Sequence, residues 1–110
     1  MITKDPELQH VINLLRRDVL ATVGPEHDRE VQRLAAMVLE YRDPADAADK
    51  IVEDVQQYLL DTFVDTTWPA CPRHPRHPMW FRADGWWWCE QDQVPLVRLG
   101  ELPARHRERE

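Results

Sequence analysis

Cys71 and Cys89 are the chain's two cysteines, and each opens a four-residue segment that ends in a metal-ligand type. The segments are Cys71-Pro72-Arg73-His74 and Cys89-Glu90-Gln91-Asp92. Zinc takes thiolate, imidazole and carboxylate ligands in a tetrahedral arrangement, and residues three apart in a tight knuckle point toward one spot. Residues 75–88 have the length and turn chemistry of a β-hairpin, which would bring the two knuckles together as in a zinc ribbon. Cys71, His74 and Cys89 are therefore the leading ligands. The fourth position is contested. Asp92 has the ribbon spacing, His77 is the better ligand type but runs away from the knuckle, and water is a third candidate. Two other readings stand beside zinc: a metal-free ribbon using His74 and Asp92 as ordinary polar contacts, and a Cys71–Cys89 disulfide. A reducing compartment argues against the disulfide.

Catalytic patterns are missing from the sequence. It has no His-Glu-x-x-His helix, no deaminase-type pattern and no nucleophile-elbow serine. With three glycines in all, it has no phosphate-cradling loop. Carboxylate pairs such as Glu53-Asp54 fall on a polar helix face, where solvation explains them. A zinc here is expected to be structural, and the chain is expected not to be an enzyme.

The five tryptophans all lie within residues 68–88. Met79-Trp80-Phe81-Arg82 reads as a strand, Ala83-Asp84-Gly85 as its turn and Trp86-Trp87-Trp88-Cys89 as the returning strand, because Asp-Gly between aromatic runs is a strong hairpin signal. A third short strand is expected near Val97-Arg98-Leu99. Alternation along a strand puts Trp86 and Trp88 on one side and Trp87 on the other. One face can pack on the rest of the protein; the other would show Trp87 with Trp80, flanked by Arg73, Arg76 and Arg82. An exposed aromatic patch of this kind marks a binding surface for a protein partner or for self-association. Arginine beside aromatic rings also suits single-stranded nucleic acid.

The element that must carry this segment is helical. Asp5-Pro6 supplies an N-cap and a proline at the first helical position. Leu8, Val11, Ile12, Leu15, Val19 and Leu20 then share one stripe. Gly24-Pro25 ends this helix and begins a second, striped by Val31, Leu34, Ala35, Val38 and Leu39. Asp43-Pro44 begins a third, striped by Ala48, Ile51, Val52, Val55, Tyr58, Leu59 and Phe63. Short proline-marked turns suggest an antiparallel three-helix bundle. Four of the nine prolines fall between positions 69 and 78, which excludes helix there.

Charge separates the same two regions. Residues 1–65 carry −7 and residues 66–110 carry +1, within a net charge of −6. An acidic body disfavours sequence-independent nucleic-acid binding, which needs a cationic surface, and so favours a protein partner. No apolar run approaches the ~20 residues that span a bilayer. The N-terminus lacks the apolar core of a secretory signal, so a cytoplasmic location is expected.

Trp68-Pro69-Ala70-Cys71-Pro72-Arg73-His74, His77-Pro78-Met79-Trp80, Trp86-Trp87-Trp88-Cys89 and Leu99-Gly100-Glu101-Leu102 together resemble the tail of a group of small bacterial proteins, with the form WPxCPxH…HPL…WxCPxD. Glu90 stands where that motif has proline. The resemblance covers the last third of the chain and implies Cys71, His74, Cys89 and Asp92 as the ligand set; it implies no activity. The resulting expectation is an α+β protein. A helical bundle spans residues 1–65, a small antiparallel zinc-ribbon-like segment 66–102 and a flexible tail 103–110. Its function is expected to be protein–protein interaction, with a nucleic-acid-binding accessory module as the alternative.

Overall fold

The computed structural model describes residues 2–62 and 67–104. It is α+β, with three helices followed by a three-stranded antiparallel open sheet in the order β1-β2-β3. Helix α1 is Pro6–Thr22, α2 is Asp28–Leu39 and α3 is Ala48–Asp61. Strand β1 is Trp80–Phe81, β2 is Trp86–Cys89 and β3 is Val94–Arg98.

The Asp5 side chain caps α1 by accepting from the backbone N–H groups of Glu7 and Leu8, which would otherwise lack partners. The other two proline starts behave differently from expectation. Pro25–His27 and Pro44–Asp46 are 3-10 turns, and the α-helices begin a few residues later. Proline fixes φ for either helix type, so the dipeptide marks where the chain turns more sharply than where α-helix begins. Among the described residues no helix is long and apolar enough to cross a membrane. Phe63 and residues 105–110, where the third stripe and the tail were expected to end, lie outside the described residues.

The apolar stripes meet in one cluster that does not stop at the bundle. Ile12, Leu15, Val31, Val38, Ile51, Val55 and Leu59 belong to the same core as Trp68, Cys71, Met79, Trp87, Cys89 and Leu99. The sheet is thus seated on the helices through its inner face.

The hairpin is the one the sequence signals. Arg82 donates its N–H to Trp86 O (3.1 Å), Gly85 donates to Arg82 O (2.9 Å), and Gly85 sits at φ 88°. A three-residue loop ending in a left-handed glycine closes such a hairpin without strain. Trp80 pairs with Trp88 and Phe81 with Trp87; β2 pairs with β3 through Trp86–Arg98, Trp87–Val97, Trp88–Pro95 and Cys89–Val94. The register slips between Trp87 and Trp88, leaving Leu96 as an extra residue, a β-bulge on β3.

Two buried polar side chains fasten the sheet to the bundle. Asp18 of α1 is 0% exposed, and three donors converge on its carboxylate. Trp87 Nε1 (3.0 Å) and Gly100 N (2.8 Å) donate to Oδ2, and Leu102 N (3.0 Å) donates to Oδ1. Burial pushes the Asp18 carboxyl above its ordinary pKa, against the opposing pull of those three hydrogen bonds. Gln56 of α3 donates its amide to Trp68 O (3.1 Å) and Met79 O (2.8 Å). The Trp68 indole donates to Thr22 Oγ1 (2.8 Å), whose hydroxyl donates in turn to Asp18 O (2.7 Å). Each of these groups would be costly to bury alone, and each is satisfied across the seam. Gly100 makes the close approach possible: at φ 92°, a Cβ there would lie 2.5 Å from Leu14 Cδ2.

Candidate metal centre

The first knuckle lies in a loop closed at its base. Cys71 N donates to His77 O (2.9 Å), His74 N to Cys71 O (3.2 Å), and His77 N to His74 O (2.8 Å). Ala70 and Pro78 form an isolated bridge just outside it. With proline at positions 72, 75 and 78, the loop has few conformations to lose on ordering. The second knuckle is the turn between β2 and β3. Gln93 N donates to Cys89 O (2.8 Å) with Gln93 in the left-handed region at φ 57°, and Asp92 N donates to Cys89 Sγ (3.3 Å). A backbone N–H aimed at sulfur favours the thiolate over the thiol.

These turns bring His74, Cys89 and Asp92 together, with one ligand atom from each lying within 4.8 Å of the others. Tetrahedral zinc bonds of about 2.0–2.3 Å would set ligand atoms roughly 3.3–3.8 Å apart, so side-chain rotation covers the difference. Cys71 is outside this mutual trio, and its thiol is near enough to that of Cys89 to raise it. Both cysteines are buried and free. His77 is exposed and outside the trio, so the knuckle geometry does not gather it with the other ligand types.

The electrostatics separate the two acids of the trio. Burial, first of all, raises the Cys89 thiol; the Asp92 N–H lowers it and the neighbouring Cys71 thiol raises it again. Asp92 is held below the ordinary carboxylate range, first by its hydrogen bond with His74 and also by the charge of Arg73. Both contacts fall on one oxygen: Asp92 Oδ2 is 2.9 Å from Arg73 Nε and 3.2 Å from His74 Nε2. A thiol, an imidazole and a carboxylate that converge in this way are ligand types compatible with zinc.

The aromatic residues divide more sharply than the sequence suggests, and one expectation is corrected. Trp87 is 0% exposed and cannot meet a partner. It lies edge-on to Trp68 at 5.3 Å between ring centroids and to Phe81 at 5.8 Å, with its N–H on Asp18. The alternation of Trp86, Trp87 and Trp88 holds, but the face seated on the bundle is the Trp87 face. Its apolar neighbours and the buried Asp18 acceptor draw it inward. The outer face carries Trp80, 38% exposed, with half-buried Trp86 and Trp88. Arg82 stacks over Trp88 at 4.1 Å and Arg98 over Trp86 at 5.2 Å. Asp84 accepts from Trp88 Nε1 (3.0 Å) and from Trp86 N (3.0 Å). Arg76 is exposed on the knuckle loop, while Arg73 is drawn to Asp92.

Arg98, Asp18 and Gln56 are the residues that motif reasoning passed over. The last two carried a signal: each is polar on an apolar helical stripe, Asp18 beside Leu15 and Val19, Gln56 between Val52 and Leu59. Comparison with protein-family models, with curated proteins and with solved structures gives no match.

Proposed function

We propose that this protein is a non-catalytic interaction module whose sheet is stapled by one structural zinc ion and whose outer sheet face engages a protein partner. Cys71, His74, Cys89 and Asp92 would hold the metal, in the manner of a zinc ribbon. The supporting observation is the convergence of His74, Cys89 and Asp92 within 4.8 Å, with the Cys71 thiol beside Cys89. A divalent cation would bind these converging side chains together and tie the two knuckles to each other.

A structural role is favoured over a catalytic one by where the other buried acid is spent. Asp18 already accepts from three donors, so it is not free to act as a base. A protein partner is favoured over single-stranded nucleic acid because bases need open aromatic faces. Arg82 and Arg98 already cover Trp88 and Trp86, which leaves Trp80 as the more exposed ring.

Native mass spectrometry of the full chain, with and without chelator, tests the metal part. One zinc per chain is the expected result; a metal-free chain of unchanged stability contradicts it. The partner part is tested by crosslinking in cells, comparing the wild type with a Trp80→Ala/Arg98→Ala variant. A defined set of proteins, retained at high salt and lost in the variant, supports the proposal. Recovery of nucleic acid that falls steeply with salt supports the alternative module instead.

A further inference from the structure

We infer that Arg73 is the positioning residue of the metal centre, clamping the Asp92 carboxylate so that it serves as fourth ligand. The inference deepens the proposal above and rests on its zinc site. Its basis is the way contacts are shared on Asp92. The Arg73 guanidinium meets Oδ2 through Nε at 2.9 Å, and the His74 ring meets the same oxygen at 3.2 Å. In both pairs the closest approach is to Oδ2 rather than Oδ1. A carboxylate gripped chiefly at one oxygen can turn the other toward a metal for a single bond, with its orientation fixed from behind.

Charge balance points the same way. Two thiolates, one carboxylate and a neutral imidazole around a divalent ion leave one net negative charge. Arg73 stands beside that set and cancels it. Without metal the same guanidinium neutralises Asp92, so it keeps one partner in both states and its contact need not break when metal enters. The backbone supports this placement. Arg73 follows Pro72 within the closed loop whose base is the Cys71–His77 hydrogen bond, and Asp92 is fixed by its N–H on Cys89 Sγ. The two partners therefore come from different knuckles, and the ion pair joins the turns that the metal would join. A surface ion pair alone contributes little, so its value lies in the ligand it aims.

Titration of the metal-stripped full chain with zinc, and with cobalt as a spectroscopic stand-in, tests this directly. Removing an outer-shell partner typically weakens metal binding 10–100-fold. Arg73→Ala is expected to weaken zinc binding by about tenfold or more and to alter the visible absorption of bound cobalt, which reports ligand geometry. Arg73→Lys is expected to recover part of both, since an ammonium can pair with Asp92 but lacks the planar guanidinium. Unchanged or tighter binding by Arg73→Ala, with an unchanged cobalt spectrum, overturns the inference while leaving the zinc site standing. A wild-type chain that binds neither metal overturns the zinc site itself. Far-UV circular dichroism of each stripped variant shows whether the fold is retained, and Arg73 is more than half exposed, so loss of fold is not the expected result.

Discussion

Two polar clusters lie at opposite faces of one problem, and they solve it differently. At the seam, the Asp18 carboxylate is matched oxygen by oxygen with N–H donors from Trp87, Gly100 and Leu102. At the knuckles, the Cys89 thiol, the His74 imidazole and the Asp92 carboxylate converge, with Arg73 and the Asp92 N–H as donors beside them. The first cluster joins the sheet to the bundle, and the second joins the loop of residues 71–77 to the turn after β2. The seam is complete in the chain's own chemistry, whereas the knuckles gather ligand types that, in the function proposed above, a metal would join. A buried acceptor needs donors in equal measure, and a fold can supply them as backbone amides or as a metal.

Breaking the seam has the largest expected effect. Asp18→Ala leaves three buried N–H donors without an acceptor, and at roughly 1–3 kcal/mol for each unsatisfied group it should cost about 3 kcal/mol or more of stability. Chemical denaturation checks it; a loss under about 1 kcal/mol would show that the seam is not where the sheet is held.

Cys89→Ser sharpens the contrast at the other cluster. The variant should lose zinc, and its stability should no longer respond to added zinc or to chelator. Measured in chelator it should differ from wild type by only about 1 kcal/mol, the scale of one altered buried group. Equal zinc responses in the two proteins would remove Cys89 from the ligand set.

Gly100→Ala strikes the seam through the backbone. A Cβ 2.5 Å from Leu14 at φ 92° should cost about 2 kcal/mol, and hydrogen exchange should show the Gly100 and Leu102 amides losing protection first. An unaffected melting temperature would mean the chain relaxes there without cost.

A smaller effect follows from the charge on Asp18. Burial raises its folded pKa above the unfolded value, so the folded chain binds a proton where the unfolded chain does not. Its contribution is therefore fully present below the ordinary carboxylate pKa and is lost as pH rises through the raised folded pKa. Asp18→Asn should flatten that part of the stability–pH curve in chelated protein. A steeper fall in the variant would reverse the sign assigned here.

The smallest is on the outer face. Arg98→Ala removes one exposed cation–π contact and should change stability by no more than about 1 kcal/mol, because solvent already screens the guanidinium. A larger loss would mean that the outer face, too, holds the fold together.

The bundle and the hairpin were legible because their signals are local. Helical stripes carry the period of α1 to α3, and Asp84-Gly85 forces the turn between Phe81 and Trp86. The knuckles were partly legible: Cys-x-x-ligand spacing is itself a turn, and His74, Cys89 and Asp92 meet, while Cys71, a leading ligand in the sequence, falls outside that trio. The inward face of the sheet was not legible. Period two separates Trp87 from Trp86 and Trp88 but does not say which side meets the bundle. That choice is made by Asp18, 69 positions away in sequence, which offers the indole an acceptor. The Arg73–Asp92 pair was hidden likewise, since neither knuckle shows the other's partner until the loop between them closes.

Hydrogen–deuterium exchange of the full chain, as isolated with zinc and again after chelation, sets the two clusters side by side in one experiment. Chelation is predicted to release the amides of residues 71–77 and 89–93 while those of Trp87, Gly100 and Leu102 stay protected. Identical protection at the knuckles with and without chelator would contradict the account.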